Sequence, residues 1–413
     1  MTESCAFDEG GCREIVGTNM RCVVAEAVKD AALPTFLTSQ ATECVRKFHA
    51  TVPGYGRTPL VRLKALAERL GVREIFLKDE SHRFGLNSFK GLGGIYAITQ
   101  VVCKELGLDI EKLRFSDLMD PVNREKLDKM VFVTATDGNH GKGIAWAAGK
   151  LGCKAHVYMP KGSSENRAQA IRDAGLAEVS ITDMSYDDAA RFARKMADQN
   201  GWYLVQDTSW DGYEEVPTWI IQGYTTMADE AVHQLEEYGV KAPSHVFVQA
   251  GVGAMAGGVT GFLMNYYKEN RPVVAVVEPE GMACIYESAK RGDGKPHEVV
   301  GDCNTIMAGL NCGEPCAITW PILRDFASFY IAELDVLSER GMRVLAHPMG
   351  KDGAVVSGES GAATMGALLE ILENQAWADL KREMGLDENA VILLFSTEGD
   401  TDPDAYRKIV GKC

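Results

Sequence analysis

No stretch of the sequence carries the roughly 20 consecutive apolar residues that a membrane-spanning helix needs. The longest apolar runs, such as Val391 to Phe395, have the length of a buried strand. The N-terminus, MTESCAFDEGG, lacks a basic stretch followed by an apolar one, so no signal peptide is expected. Basic residues are in deficit: 43 Lys and Arg stand against 58 Asp and Glu, a formal net charge of −15. That balance favours solubility and argues against nucleic acid or an anionic membrane as partner. It leaves room for a phosphorylated ligand, because a nest of backbone N–H groups holds phosphate inside an acidic protein. A cysteine framework is also missing. The 11 cysteines are odd in number and scattered, which points to reduced thiols and a cytoplasmic location. Cys312 and Cys316 resemble half a metal site, but no second pair follows at zinc-like spacing, so no metal is expected. A local disulfide among Cys284, Cys303, Cys312 and Cys316 stays open. Internal repeats and low-complexity tracts are absent.

What is present is a globular composition, 46% hydrophobic and 24% charged. The 413 residues exceed one ordinary core, and two domains of roughly 150 to 200 residues are the natural division. From Lys90 onward two periods alternate. Leu92, Ile95, Ile98, Val101 and Val102 recur at helical spacing, which puts Lys90 at a helix start. The strand-like run VFVTAT (131–136), the turn DGNHG and the helical GIAWAAGKLG follow. Then come the strand KAHVYMP, a helix over 165–174, the strand VSIT, a helix over 186–199 and the strand WYLVQ (202–206). Strands separated by helices in this order give right-handed βαβ units and a parallel sheet. The pattern restarts at SHVFVQA (244–250), with VVAVVEP (273–279) and AVILLF (390–395) as further buried strands, and IFLKDE (75–80) before Lys90. The expected class is therefore α/β with two domains, each a mostly parallel twisted sheet flanked by helices. A larger domain is formed by 1–87 plus 209–413, and a smaller one, 88–208, is inserted in it. The charged segment 109–129 reads as a surface insertion.

Four motifs carry chemistry. NSFKG (87–91) follows a strand and opens a helix. Pyridoxal phosphate needs a lysine amine for covalent attachment, and one that loses its proton readily enough to act later as a base. A helix N-terminus and partial burial both disfavour the ammonium, so Lys90 fits, although a first-turn surface lysine has the same local signature. TDGNHG (136–141) lies in a strand-to-helix turn, where α/β sheets bind ligands. Asn139 is placed to donate its amide to a phenolic oxygen, though an isolated DGN is also an ordinary capped turn, and His140 reads as a satisfied turn histidine. GVGAMAGG (251–258) lets backbone N–H groups approach a phosphate at a helix N-terminus, and it equally suits a dinucleotide. FSTEGD (395–400) follows the last buried strand and offers a hydroxyl to a pyridine nitrogen, or a simple turn cap.

Taken together and in this order, NSFKG, GNHG, the glycine-rich loop and the C-terminal Ser/Thr resemble the fold-type II, tryptophan synthase β-like, pyridoxal-phosphate enzymes. RTPL (57–60) looks like that family's early segment, so the resemblance spans roughly 55 to 400. TDGNHGKG, with its Asp, and QDTSWDGYEEVPTWIIQGY (206–224) are similar to the branch that eliminates ammonia from D- and L-2,3-diaminopropionate. The resemblance implies a carbon–nitrogen lyase that uses pyridoxal 5′-phosphate and makes pyruvate and ammonia from a small amino-acid substrate. It further implies a homodimer. Position by position it makes Lys90 the Schiff-base lysine and Asp137 the acid/base on the opposite face. Asp207 lies near the substrate amine, and Asn139 meets the cofactor's phenolic oxygen. Gly251, Val252, Gly253, Ala254 and Met255 cradle the phosphate. Ser396, with Thr397 close behind, meets the pyridine nitrogen. The alternatives are a serine or threonine dehydratase-like ammonia-lyase of the same fold, a dinucleotide-dependent oxidoreductase using 251–258, and a non-catalytic binding protein of this fold.

Overall fold

A computed structural model describes residues 3–4, 12–136, 138–301 and 304–411. Its strands run β1 (Glu3–Ser4), β2 (Cys12–Val16), β3 (Met20–Ala25), β4 (Leu60–Arg62), β5 (Glu74–Asp79), β6 (Val131–Ala135) and β7 (Lys154–Met159). They continue with β8 (Ala177–Ile181), β9 (Tyr203–Leu204), β10 (His245–Gln249), β11 (Val273–Pro279), β12 (Phe329–Glu333) and β13 (Val391–Ser396). The chain divides into two compact units: Met1–Thr38, Thr58–Ser81 and Met227–Cys413 form one, and Ser39–Arg57 with His82–Thr226 form the other.

The first unit holds a nine-stranded sheet in the order β1-β2-β3-β12-β11-β10-β13-β5-β4. Its centre is parallel, with β11, β10 and β13 side by side and β12 and β5 flanking them. These five strands are buried along nearly their whole length, which is why β10, β11 and β13 read as apolar runs rather than alternations. Antiparallel strands close both edges: β3 on β12, and β4 on β5. The sequence offered no signal for the β1–β3 edge or for β12. Among the core side chains are Phe247, Ile331, Ile392 and Leu394, all fully buried. Each such side chain contributes about 1.5–3 kcal/mol of transfer free energy.

The second unit holds an all-parallel sheet in the order β8-β7-β6-β9. Its helices include Lys90–Leu106, Asn139–Lys150, Glu165–Ala174 and Tyr186–Asn200. Three differences from the sequence expectation stand out. The helix Ser39–His49 belongs here, because His49 meets the Leu92 carbonyl at 3.0 Å and Phe48 packs edge-on against Tyr96. The segment 109–129 is a run of short helical turns that bury Phe115, Leu118 and Leu127, so it adds core and not only surface. The expected strand 202–206 stops after two residues, for a reason given below.

Candidate active site

Two sets of candidate residues emerge, one in each unit. In the first unit, β10 and β13 are parallel neighbours and their C-terminal ends lie together. The chain after β10 is the glycine loop. Gly253, at φ +88°, occupies the left-handed region and caps the helix Ala254–Tyr267. That conformation favours a residue without Cβ. The loop's carbonyls are drawn inward: the Cys284 thiol donates to the Gly251 carbonyl at 3.5 Å, and the Cys316 N–H donates to that of Val252 at 2.7 Å. In a planar trans peptide the N–H points opposite to the carbonyl, so the amides of Val252 and Gly253 face away from those anchors. With the N–H groups of the following helical turn they form an anion cradle. A Cβ on Gly251 would sit 3.2 Å from Leu310 Cα and 3.4 Å from Cys312 Sγ, so the cradle has no room for a side chain. Sequence reasoning weighed these cysteines for a metal or a disulfide and missed their backbone role; Cys303 lies outside the described residues.

Beside the cradle, Ser396 and Thr397 differ. The Ser396 hydroxyl lies fully buried, 2.7 Å from the Ser357 hydroxyl and 3.4 Å from the Glu398 carbonyl. The Thr397 hydroxyl accepts from the Gln249 amide at 3.0 Å, which leaves its own proton to donate.

In the second unit Lys90 is the first residue of its helix. The preceding loop is strained: Phe84 (φ 53°) and Asn87 (φ 60°) flank Gly85 (φ 72°) in left-handed conformations. The loop is held by the helix Asn139–Lys150, from which Lys142 donates to the Leu86 carbonyl at 3.1 Å and Trp146 packs on Phe84. Burial holds the Lys142 ammonium below the usual lysine range. The two helices meet backbone to backbone, and a Cβ on Gly143 would lie 3.0 Å from the Lys90 carbonyl carbon and oxygen. Lys90 Nζ donates to Asp207 Oδ2 at 2.5 Å, with the Phe89 and Tyr224 rings at 5.2 and 5.7 Å.

Asp207 is buried. Burial opposes its ionisation, but His140, which is charged only when protonated in the acid range where this carboxyl titrates, and Lys90 with its hydrogen bond outweigh that and bring the carboxyl down to about 2. The His140 ring lies with Nε2 2.9 Å from the Val205 carbonyl and Nδ1 3.5 Å from Asp207 Oδ2. Burial holds His140 below the ordinary histidine range, so it is neutral near pH 7. A neutral ring that donates from Nε2 turns the Nδ1 lone pair toward Asp207. The Gly-Asn-His turn carried this signal, and the sequence alone assigned His140 a mere turn role. Thr136 shapes that turn, its hydroxyl accepting from Gly138 and Gly141 at 2.9 and 3.0 Å, and Asn139 opens the helix. Asp137, the residue expected on the opposite face, lies outside the described residues.

Pyridoxal phosphate fits what each unit offers: an amine at a helix start beside an ionised carboxylate, and a cradle of amides next to a donating hydroxyl. Comparison with known proteins agrees. Residues 51–384 match the family described as pyridoxal-phosphate dependent enzyme. The diaminopropionate ammonia-lyase of Salmonella typhimurium is 53% identical over 367 residues, 89% of this chain and 91% of that protein. The crystal structure of the selenomethionine holo diaminopropionate ammonia-lyase from Escherichia coli superposes with a TM-score of 0.88 at 45% identity, covering 95% of this chain and 97% of that one. The same Escherichia coli enzyme, in complex with an aminoacrylate-PLP azomethine reaction intermediate, matches with a TM-score of 0.87 at 45% identity, covering 96% and 98%.

Proposed function

The chain belongs to the pyridoxal-phosphate dependent enzymes, on their diaminopropionate ammonia-lyase branch, and we propose that it eliminates ammonia from D- and L-2,3-diaminopropionate, the product then taking up one water to give pyruvate and a second ammonia. The observation that carries the chemistry is the Lys90–Asp207 pair: an amine at a helix start, 2.5 Å from a buried, ionised carboxylate.

Lys90 would hold the cofactor's aldehyde carbon, the 251–255 amides its phosphate, and Asn139 its phenolic oxygen. Thr397, rather than Ser396, would donate to the pyridine nitrogen, because the Ser396 hydroxyl is engaged by Ser357 and the Glu398 carbonyl. A hydroxyl partner leaves that nitrogen largely uncharged. When bound, the cofactor supplies the sink for the electron pair left at the α-carbon. The remaining steps belong to the protein. The Lys90 amine takes the α-proton of the L substrate and becomes an ammonium, which Asp207 stabilises. Asp207 is ionised at neutral pH and so holds no proton of its own to give. The β-amine, held as a cation, takes the electron pair of the breaking C–N bond and leaves as ammonia, while the Lys90 ammonium keeps the α-proton. Asp137 would take the α-proton from the other face in the D substrate. The carboxylates would favour the substrate's second cationic amine over the hydroxyl of serine or threonine.

The test is pyruvate formation by the holoenzyme, coupled to lactate dehydrogenase. The kcat/KM for diaminopropionate should exceed that for serine by about 10²-fold or more, as expected where a site pairs a specific polar group. Faster turnover of serine or threonine would make the chain a dehydratase. Borohydride reduction and peptide mapping should place the pyridoxyl group on Lys90. We also infer a cytoplasmic homodimer, in keeping with the branch and with the scattered cysteines; light scattering tests the dimer. No described helix is long and apolar enough to cross a membrane.

A further inference from the structure

The segment 206–224 contributes one residue, Asp207, to the proposed chemistry, and the rest of it has no assigned purpose. The local geometry supplies one. Strand β9 ends at Leu204, and the Val205 N–H makes a last bond to the Val133 carbonyl at 2.9 Å. Asp207 therefore hangs beyond the sheet, on a turn that no ladder supports. Two side chains brace it, one from the open edge and one in place of the ladder. The Tyr213 hydroxyl accepts from the Gln206 N–H at 2.9 Å and donates to the Leu204 carbonyl at 3.0 Å. The Gln206 side chain, fully buried, accepts from the Thr134 hydroxyl at 2.9 Å and the Ala135 N–H at 3.0 Å, and donates to the Tyr186 hydroxyl at 2.9 Å. The phenol reaches back because the chain folds on itself: Gly212 takes φ +81°, and the Tyr213 N–H bonds to the Trp210 carbonyl at 2.8 Å. The two rings stack at 4.5 Å, and Arg194 lies over Trp210 at 5.2 Å.

We propose that Tyr213 is a positioning residue for the elimination. By bonding both Leu204 and Gln206 it aims the Asp207 carboxylate at Lys90, with the Gln206 side chain as the second anchor. A carboxylate on an unsupported turn would sample several directions, and one 2.5 Å bond to Lys90 would have to order it alone. With the mount in place that ordering is complete before substrate arrives. Burial, with the neighbouring Asp207 charge, holds the phenol well above the usual tyrosine range, so it keeps the proton it donates to Leu204 throughout the working pH range. Among the described residues, the charged and titratable groups facing Asp207 are Lys90 from its helix, His140 from the helix Asn139–Lys150, and Tyr213 from the returning turn.

This inference rests on the reading that Asp207 acts on Lys90, and the experiment separates the two. Four full-length proteins are compared: wild type, Asp207→Asn, Tyr213→Phe and the double variant. In each, freed of cofactor, the rate of reductive methylation of Lys90 is followed against pH by peptide mass spectrometry. Losing a carboxylate partner disfavours the ammonium, so Asp207→Asn should move the midpoint down by about one unit, the low end of the roughly 1–3 units an opposite charge gives at such range. Tyr213→Phe should move it the same way by at least about half as much, and the double variant should match Asp207→Asn, as expected of residues acting in series. A wild-type midpoint in Tyr213→Phe, beside a shifted Asp207→Asn, would overturn the inference and leave the reading of Asp207 intact. An additive shift in the double variant would also overturn it, because Tyr213 would then act by another route. An unshifted Asp207→Asn would overturn the underlying reading itself. Should Tyr213→Phe not fold, Gln206→Met removes the other anchor and carries the same comparison.

Discussion

Replacing Gly143 with alanine should separate the effects of position and stability at Lys90. The added Cβ would lie 3.0 Å from the Lys90 carbonyl carbon and oxygen and 3.2 Å from the Gly91 nitrogen. All three are backbone atoms in the first turn of a helix, so nothing flexible is available to yield. Ordinary contact begins near 3.4 Å, and the two helices must therefore part by about 0.4 Å. Overpacking of this kind costs about 1–3 kcal/mol. Alanine in a helix interior returns about 1 kcal/mol relative to glycine. The net destabilisation is then about 0–2 kcal/mol, small for a chain of this size. The catalytic effect should be larger in proportion. A misplacement of about 1 Å costs about 10²-fold, so a shift of half that size at Lys90 should cost about tenfold in turnover. The assay pairs kcat for pyruvate formation with the urea midpoint, measured on enzyme at full cofactor occupancy. Wild-type turnover in a stable Gly143→Ala protein would refute the claim that this backbone contact sets the position of Lys90. A loss of activity that only tracks unfolding would refute it as well.

The cradle should reject bulk: Gly253→Val adds a side chain at φ +88°, with its Cβ 3.1 Å from both Ile285 Cδ1 and Leu323 Cδ1, and equilibrium dialysis should show weakened pyridoxal-phosphate binding. Unchanged affinity would move the phosphate site elsewhere. Asp137→Asn should lower turnover of D-diaminopropionate by about the 10² to 10⁴-fold typical of a lost general base, and of the L form much less; equal losses on both enantiomers would end the two-base reading. Asp207 predicts an acid limb. Its folded-state value, about 2, lies below the ordinary aspartate value of 3.8, so the stability it adds is present above the unfolded value and is lost as pH falls toward 2. The shift corresponds to about 2 kcal/mol. The gap in unfolding free energy between wild type and Asp207→Asn should therefore shrink by about that amount between pH 5 and pH 2, and a constant gap would show that Asp207 is not held ionised by its partners.

Much of the architecture was legible because burial leaves a local trace. Val273–Pro279 and Val391–Ser396 are buried on both faces and read as unbroken apolar runs. Helix Glu165–Ala174 keeps the bounds expected from the sequence, with Ser164 as its N-cap. The antiparallel edge did not, since β2 and β3 are short and carry a mixed pattern. At the proposed site, Lys90 and the glycine loop could be picked out by the types and order of their residues, and Asp207 only through the resemblance carried by 206–224. What makes them work was not. Cys284 and Cys316 turn the loop's amides outward from far along the chain, and no spacing rule links them to Gly251. Tyr213 is six residues past Asp207, yet its hydroxyl bonds the backbone before it, a closure that depends on the turn at Gly212. The early end of β9 has a related cause: the Val205 carbonyl and the Ala135 N–H, which a longer parallel ladder would pair with each other, are taken instead by His140 and by the Gln206 side chain.

The two members of the Lys90–Asp207 pair are thus fixed by different physics. Lys90 begins a helix whose backbone lies against others with no side chains between: a Cβ on Gly94 would meet the Gly143 carbonyl oxygen at 3.1 Å, and one on Gly223 would meet the Leu92 carbonyl oxygen at 2.7 Å. Steric contact of this kind sets distance and resists compression steeply, but it says little about the direction of a side chain. Asp207 is fixed by hydrogen bonds to the peptide units before it, which weaken sharply with angle and so set direction. An ammonium held by a carboxylate needs both. It follows that changes at Gly143 and at Tyr213 should be distinguishable in kind: the first alters the separation of the pair while leaving the carboxylate aimed, and the second frees the carboxylate to turn while Lys90 stays where its helix puts it.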